Sequence, residues 1–220
     1  MENAHVPRIK PARKQQQRSL VTQQKLLDAA IEAFSENGFK GTSTRDIAER
    51  AGVHHPLITY HFKNKDRLWR AAADHIFREF HAKLDESNKA HAGDDPRSRM
   101  VSLIRTYVRY AHRQPALHKV LVQEGSYPNP RHDWLVETHL RPLFQPMIEA
   151  IRMLQANGVA PPGNPALLAS MIRICAGGLI ALAQEIKGTS DVDLTAEETL
   201  EEMTDLIIRV FLPGMESDAA

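Results

Sequence analysis

Apolar residues recur along this chain at intervals of three and four, and no stretch alternates apolar with polar for long. That period belongs to helices that bury one face, so the whole sequence reads as α-helical. Glycines and prolines mark the breaks between periodic segments. The first helix is expected over 22–37, with Thr22 as cap and Leu26, Leu27, Ala30, Ile31 and Phe34 as its inward stripe. Gly38 stops it. A short second helix follows Ser43, whose spacing to Asp46 is a capping-box variant, and it ends at Ala51 and Gly52. A short third helix covers 55–62, with Pro56 in its first turn. A long fourth helix is expected over 65–91 and a fifth over 96–113.

The remainder of the chain continues in the same manner. Pro115 opens a sixth helix that ends near Gly125, and 127–130 is a connector. A seventh covers 130–157, with Pro142 and Pro146 expected to kink or split it. Two long, strongly apolar helices, 165–187 and 195–212, close the fold. Residues 1–20 are expected to form a flexible arm, because Arg8, Lys10, Arg13, Lys14 and Arg18 stand among Gln and Pro with little to bury. Residues 218–220 read as a tail. The predicted fold class is all-α: a helix-turn-helix domain over 21–64, then a larger helical domain over 65–215 that begins with the connecting helix.

The stretch TSTRDIAERAGVHHPLITYHFKNK, Thr42 to Lys65, is the most informative. Gly52 suits positive φ, and Ala48 and Ala51 let two short helices cross closely. Ile47, Val53, Ile58 and Phe62 are spaced to share a small core with Leu27, Ile31 and Phe34. This is the layout of a helix-turn-helix, whose second helix enters the DNA major groove. His54, His55, Thr59, Tyr60 and His61 can reach base edges or phosphates, and Lys65 can neutralise a phosphate. Thr42, Ser43 and Thr44 stand at a helix start, where free N–H groups favour an anion. Any one of these residues alone suits a solvated helical face. The combination within 24 residues does not.

Charge supports the same direction. The chain has 220 residues and a net charge of +1, but residues 1–75 hold 13 Lys/Arg against 8 Asp/Glu. The remainder holds 15 against 19, a mildly acidic body behind a basic first third. The basic, polar N-terminus lacks the apolar core of a signal peptide, and no run of about 18 apolar residues occurs, so a cytoplasmic protein without a membrane partner is expected. The single Cys175 rules out an internal disulfide framework.

The segments LLDAAIEAFSENGF, TSTRDIAERAGV and LITYHFKNKDRLW resemble the DNA-binding domain of the TetR family of bacterial regulators. The string HDWLVETHLRPLF looks like the ligand domain of some members. The resemblance implies an all-helical homodimer, usually a repressor, that binds a double-stranded DNA operator and answers to a small-molecule effector. By the family's pattern Arg45, His55, Pro56 and Thr59 face bases, and Tyr60, His61 and Lys65 face phosphates. His54 and Thr59 depart from the residues common in the family, which leaves the operator sequence open. An activator using the same residues, or a helical scaffold that no longer binds DNA, are the competing readings.

In the family the ligand lies among the fifth to eighth helices. The candidates there are the polar, aromatic and sulfur-bearing residues Tyr107, His112, His118, Tyr127, His132, Trp134, Met147, Met171 and Cys175. Arg173, the odd charge in MIRICAGGLIALA, is expected either to pair across a dimer interface or to meet an acidic ligand group. Dimerisation is expected through the last two helices, using Leu167, Met171, Leu179, Leu182 and Ile186 with Leu200, Met203, Ile207 and Phe211. No HExxH, GxSxG, GxGxxG or phosphate loop occurs, so no enzyme, no metal site and no cofactor are expected, and Cys175 reads as an inert thiol.

Overall fold

The computed structural model describes residues 11–213, with side chains from residue 15, and among these residues it is all helical. The chain divides into two compact units, one ending at His75 and the other beginning at Ile76. The division falls inside one continuous helix. Arg8 and Lys10, the side chains of Arg13 and Lys14, and the tail lie outside the described residues. No single helix among the described residues is long and apolar enough to cross a membrane.

The N-terminal unit is built from α1 (Pro11–Gly41), α2 (Thr44–Arg50), α3 (Pro56–Phe62) and the start of α4 (Lys65–Ala90). Leu26, Ala30, Phe34, Ile47, Ile58 and Phe62 are buried together with Leu68 and Trp69, as the apolar period requires. Val53 is only half-buried. Helix α1 begins at Pro11, so residues 11–20 are helical rather than an irregular arm. Gln, Arg and Lys are good helix formers and can extend a helix with little apolar surface to bury. Gly38 breaks α1 at φ 66°, and Gly52 takes φ 63° in the turn between α2 and α3.

The C-terminal unit continues α4 and adds α5 (Pro96–Arg113), α6 (Ala116–Gly125), α7 (Pro130–Leu135) and α8 (Arg141–Ala156). It ends with α9 (Pro165–Arg173), α10 (Leu179–Ala181), α11 (Ala183–Ser190) and α12 (Glu197–Phe211). Helix α8 packs on α9, and α12 packs on α5. Three helices open by one device. Asp95, Asn129 and Asn164 each accept backbone N–H bonds at the helix start, and a proline follows each of them at the first helical position.

The helix expected over 130–157 is interrupted by a π-helical turn, Val136–Leu140, just before Pro142, which has no N–H to give. The helix then runs through Pro146. The helix expected over 165–187 is also divided, by a second π-helical turn at Ile174–Gly178 and by Leu182 at φ −101°, ψ 10°.

Candidate DNA interface and effector cavity

Helix α3 exposes Pro56, Thr59 and Tyr60, with His54 and His55 exposed just before it. Its other face is held in the core by Ile58 and Phe62. Tyr60 is 75% exposed, unusual for a large ring, and His61 stands edge-on to it at 4.9 Å between ring centroids. Partial burial lowers the pKa of His61, which favours the neutral ring. Arg45 is exposed on α2. Thr44 Oγ1 and His55 Nε2 lie 3.0 Å apart, joining the first turn of α2 to the start of α3. Lys65, at the start of α4, carries its ammonium 4.4 Å from the centre of the Phe39 ring.

Two of the three residues expected at the helix start have other work. Ser43 Oγ accepts the N–H of Asp46 at 3.0 Å and so caps α2. Thr42 is a correction. It is buried, and its hydroxyl contacts the carbonyls of Ala33 and Gly38 at 2.9 and 2.8 Å, closing the turn left by Gly38. Its hydroxyl is therefore already engaged inside the unit.

Two positioning residues had not been singled out from the sequence. Arg50 pairs with Glu36 at 2.8 Å and with Asp46 at 3.2 Å, tying α2 to α1, and these bonds raise its already high pKa. Asn64 Oδ1 accepts the N–H of Arg67 at 2.9 Å and caps α4 beside Lys65. The Asn-x-x spacing before an apolar run was the available signal for Asn64. Arg50 offered only an i, i+4 pairing with Asp46.

In the C-terminal unit a cavity of about 580 Å³ is walled by α4, α5 and α8, and reaches Ile172 of α9. Phe80, Met100, Ile104 and Phe144 give it an apolar lining, and His81, Arg99 and Glu149 give it polar points. Tyr107 and Met147 line it. A second cavity, of about 370 Å³, is lined by His132 and Arg173 with Leu121, Leu135, Leu140 and Ile148. Phe144 borders both.

His112, Tyr127, Trp134, Met171 and Cys175 line neither of these two cavities. Tyr127 and Met171 are exposed, and the Trp134 ring instead stands edge-on to His139 at 5.3 Å. Cys175 is half-buried, and burial raises its pKa, so the thiol form is favoured. His118 sits behind the larger cavity. It is buried, with Nε2 2.9 Å from the Tyr107 hydroxyl. Burial, with the nearby charge of Arg173, lowers its pKa to about 4.

The apolar surface of the last helices also departs from expectation. Leu200, Met203, Ile207 and Phe211 are buried within the protomer, because α12 turns that stripe onto its own α5. The residues left exposed are Leu167, Met171 and Ile174 beside α9, Leu182, and Leu206 and Val210 on α12.

The chain matches two family models. Residues 26–72 match bacterial regulatory proteins of the tetR family, and residues 100–207 match the tetracyclin repressor-like C-terminal domain. It is 24% identical over 131 residues to the HTH-type transcriptional regulator YttP of Bacillus subtilis, covering 58% of this chain and 63% of YttP. It is 32% identical over 79 residues to the HTH-type transcriptional regulator BetI of Burkholderia ambifaria, covering 36% of this chain and 40% of BetI. The match thus spans less than two thirds of either relative. Among solved structures, a bacterial regulatory protein in the tetR family from Rhodococcus RHA1 superposes with a TM-score of 0.68 at 19% identity, over 87% of this chain and 97% of that one. With a helix-turn-helix in the first unit and a tetracyclin repressor-like helical domain in the second, the chain belongs to the TetR family of DNA-binding transcriptional regulators.

Proposed function

We propose that this regulator is a ligand-responsive repressor that binds a palindromic operator as a homodimer in the cytoplasm. A small apolar or aromatic molecule releases it. The observation that carries this reading is the 580 Å³ cavity, a size that suits a small organic ligand. Helix α4 lends Phe80, His81 and Leu84 to the cavity wall, and the same helix begins with Lys65.

On the DNA side, Arg45, His55, Pro56 and Thr59 are assigned to bases. Ser43, Thr44, His54, Tyr60, His61 and Lys65 are assigned to phosphates or groove edges. The exposure of α3 supports its use as the DNA-facing helix, since its apolar side is already used by the core. The exposed stripe on α9 and α12 is assigned to a twofold interface, which would present two recognition helices to one face of DNA.

A gel-shift titration with the DNA upstream of this protein's own gene tests the reading. The expected result is a sequence-preferring complex of two protomers that apolar or aromatic compounds dissolve. Ala150→Trp, which places a large ring in the cavity, should blunt that response while leaving DNA binding. A variant that still responds like the wild type would remove the cavity from the mechanism.

A further inference from the structure

We propose that Arg173 anchors a second binding site in the C-terminal unit, one that takes a small carboxylic acid with an apolar body. Arg173 is the one charged side chain between residues 165 and 184. It is half-buried on the wall of the 370 Å³ cavity. Among the described residues no carboxylate lies within 4.0 Å of its guanidinium, and the group facing it is the ring of Phe144, with 5.4 Å from the guanidinium carbon to the ring centre. A cation over an aromatic face recovers part of its lost hydration. It does not cancel the charge.

Arginine cannot escape the cost of partial burial by releasing its proton. Burial lowers the pKa of the nearby His118, and the charge of Arg173 adds to that effect. A carboxylate would satisfy the guanidinium through two parallel N–H···O bonds.

The rest of the cavity defines the body of the ligand. Leu121, Leu135, Leu140 and Ile148 line it, which suits an alkyl chain or an aromatic ring and disfavours inorganic phosphate. The Ser170 hydroxyl already donates to the Ala166 carbonyl at 2.8 Å. His132 Nδ1 lies 3.5 Å from an Asp133 carboxylate oxygen, which competes for that nitrogen. Recognition of the acid therefore falls on Arg173. The volume of about 370 Å³ accommodates an eight-carbon acid. The site adjoins the larger cavity at Phe144, and its test requires no DNA.

The test is calorimetry on the full chain with two matched pairs of probes, octanoate against octanamide and benzoate against benzamide. At least one acid should bind about tenfold more tightly than its amide, the scale of one charge-assisted pair. Arg173→Gln should abolish that preference, and Arg173→Lys should retain part of it. Val122→Ala, at an exposed position of α6 that lines neither cavity, should leave it unchanged. Circular dichroism and light scattering confirm that each variant is folded and report its assembly. The proposal is overturned if neither acid binds, if acid and amide bind alike, or if Arg173→Gln keeps the preference. It is also overturned if Arg173→Gln merely dissociates the protein without changing acid binding, because Arg173 would then serve subunit contact.

Discussion

The ring of His118 fills the space that a side chain at position 177 would need. A Cβ built on Gly177 would lie 2.1 Å from His118 Nε2. That same nitrogen lies 2.9 Å from the Tyr107 hydroxyl, so the absence of a side chain at Gly177 is what admits the buried pair. Gly177→Ala should force the imidazole aside, at a cost of roughly 1–3 kcal/mol for overpacking. Thermal unfolding of this variant should show a lowered midpoint, and His118→Ala should restore part of the loss by vacating the space. A Gly177→Ala protein as stable as the wild type would mean that the ring has room to move.

His118 also sets a pH dependence. Its folded pKa, about 4, lies below the ordinary histidine value of 6.5, because burial disfavours the charged ring and Arg173 repels it. The unfolded chain therefore binds the proton more readily. Stability should be unaffected above pH 6.5 and should fall as pH drops from 6.5 toward 4, by up to about 3 kcal/mol from this residue. Denaturant titrations at pH 7.5 and pH 5 measure the fall. His118→Gln should flatten it.

How much of this could be read from sequence depended on whether the signal was local. Helix starts marked by Pro56, Pro96, Pro130 and Pro165, and the turn at Gly52, were legible because one residue's φ or missing N–H dictates the break. The stripe of Leu26, Ala30 and Phe34 was legible for the same kind of reason: its period fixes a face. What covers a face is decided by tertiary contact. The apolar stripe at 200, 203, 207 and 211 was correctly apolar, but it faces α5 of its own protomer. Thr42 looked like a residue for an anion until the Ala33 carbonyl took its hydroxyl, nine residues away. The cavity residues Phe80 and Leu84 of α4 were passed over because an i, i+4 stripe reads as core.

The reading of the DNA face predicts two classes of variant. Lys65→Ala should weaken binding to all sequences alike and reduce the salt slope by about one unit per half-site. His55→Ala should also change the preferred base pairs, at roughly 1–3 kcal/mol per lost contact. Thr44→Val removes the hydroxyl partner of His55 Nε2 and should loosen the same base preference without unfolding this exposed corner. Binding selections on a randomised operator separate the classes. A uniform loss in all three variants would show that His55 reads no base.

The exposed stripe makes a separate prediction about assembly. Leu206→Asp with Val210→Asp places charge on residues that are 48% and 60% exposed in the protomer, so helix content should survive while light scattering reports a monomer. Ile207→Asp, between them in sequence but buried, should instead unfold the protomer by burying an unpaired carboxylate. A double variant that remains a dimer would move the interface elsewhere.

The last prediction concerns release. Half-sites on one face of DNA recur about every 34–36 Å, so a dimer tolerates little change in the separation of its recognition helices. On the proposed reading, a compound in the 580 Å³ cavity would press on residues of α4, the helix that also carries Lys65. Such a compound shifts the population only by the difference between its affinities for the DNA-competent and incompetent states. A coupling of about 1–3 kcal/mol corresponds to roughly 5–150-fold in affinity, and linkage makes it reciprocal. Operator DNA must therefore weaken binding of a releasing compound by the same factor by which the compound weakens operator binding. Titrating the compound into the protein with and without saturating operator should show a several-fold weaker affinity in its presence, and a scrambled duplex should have no such effect. Equal affinities in the two titrations would leave the C-terminal unit as a dimerisation module, because a ligand indifferent to DNA cannot release it.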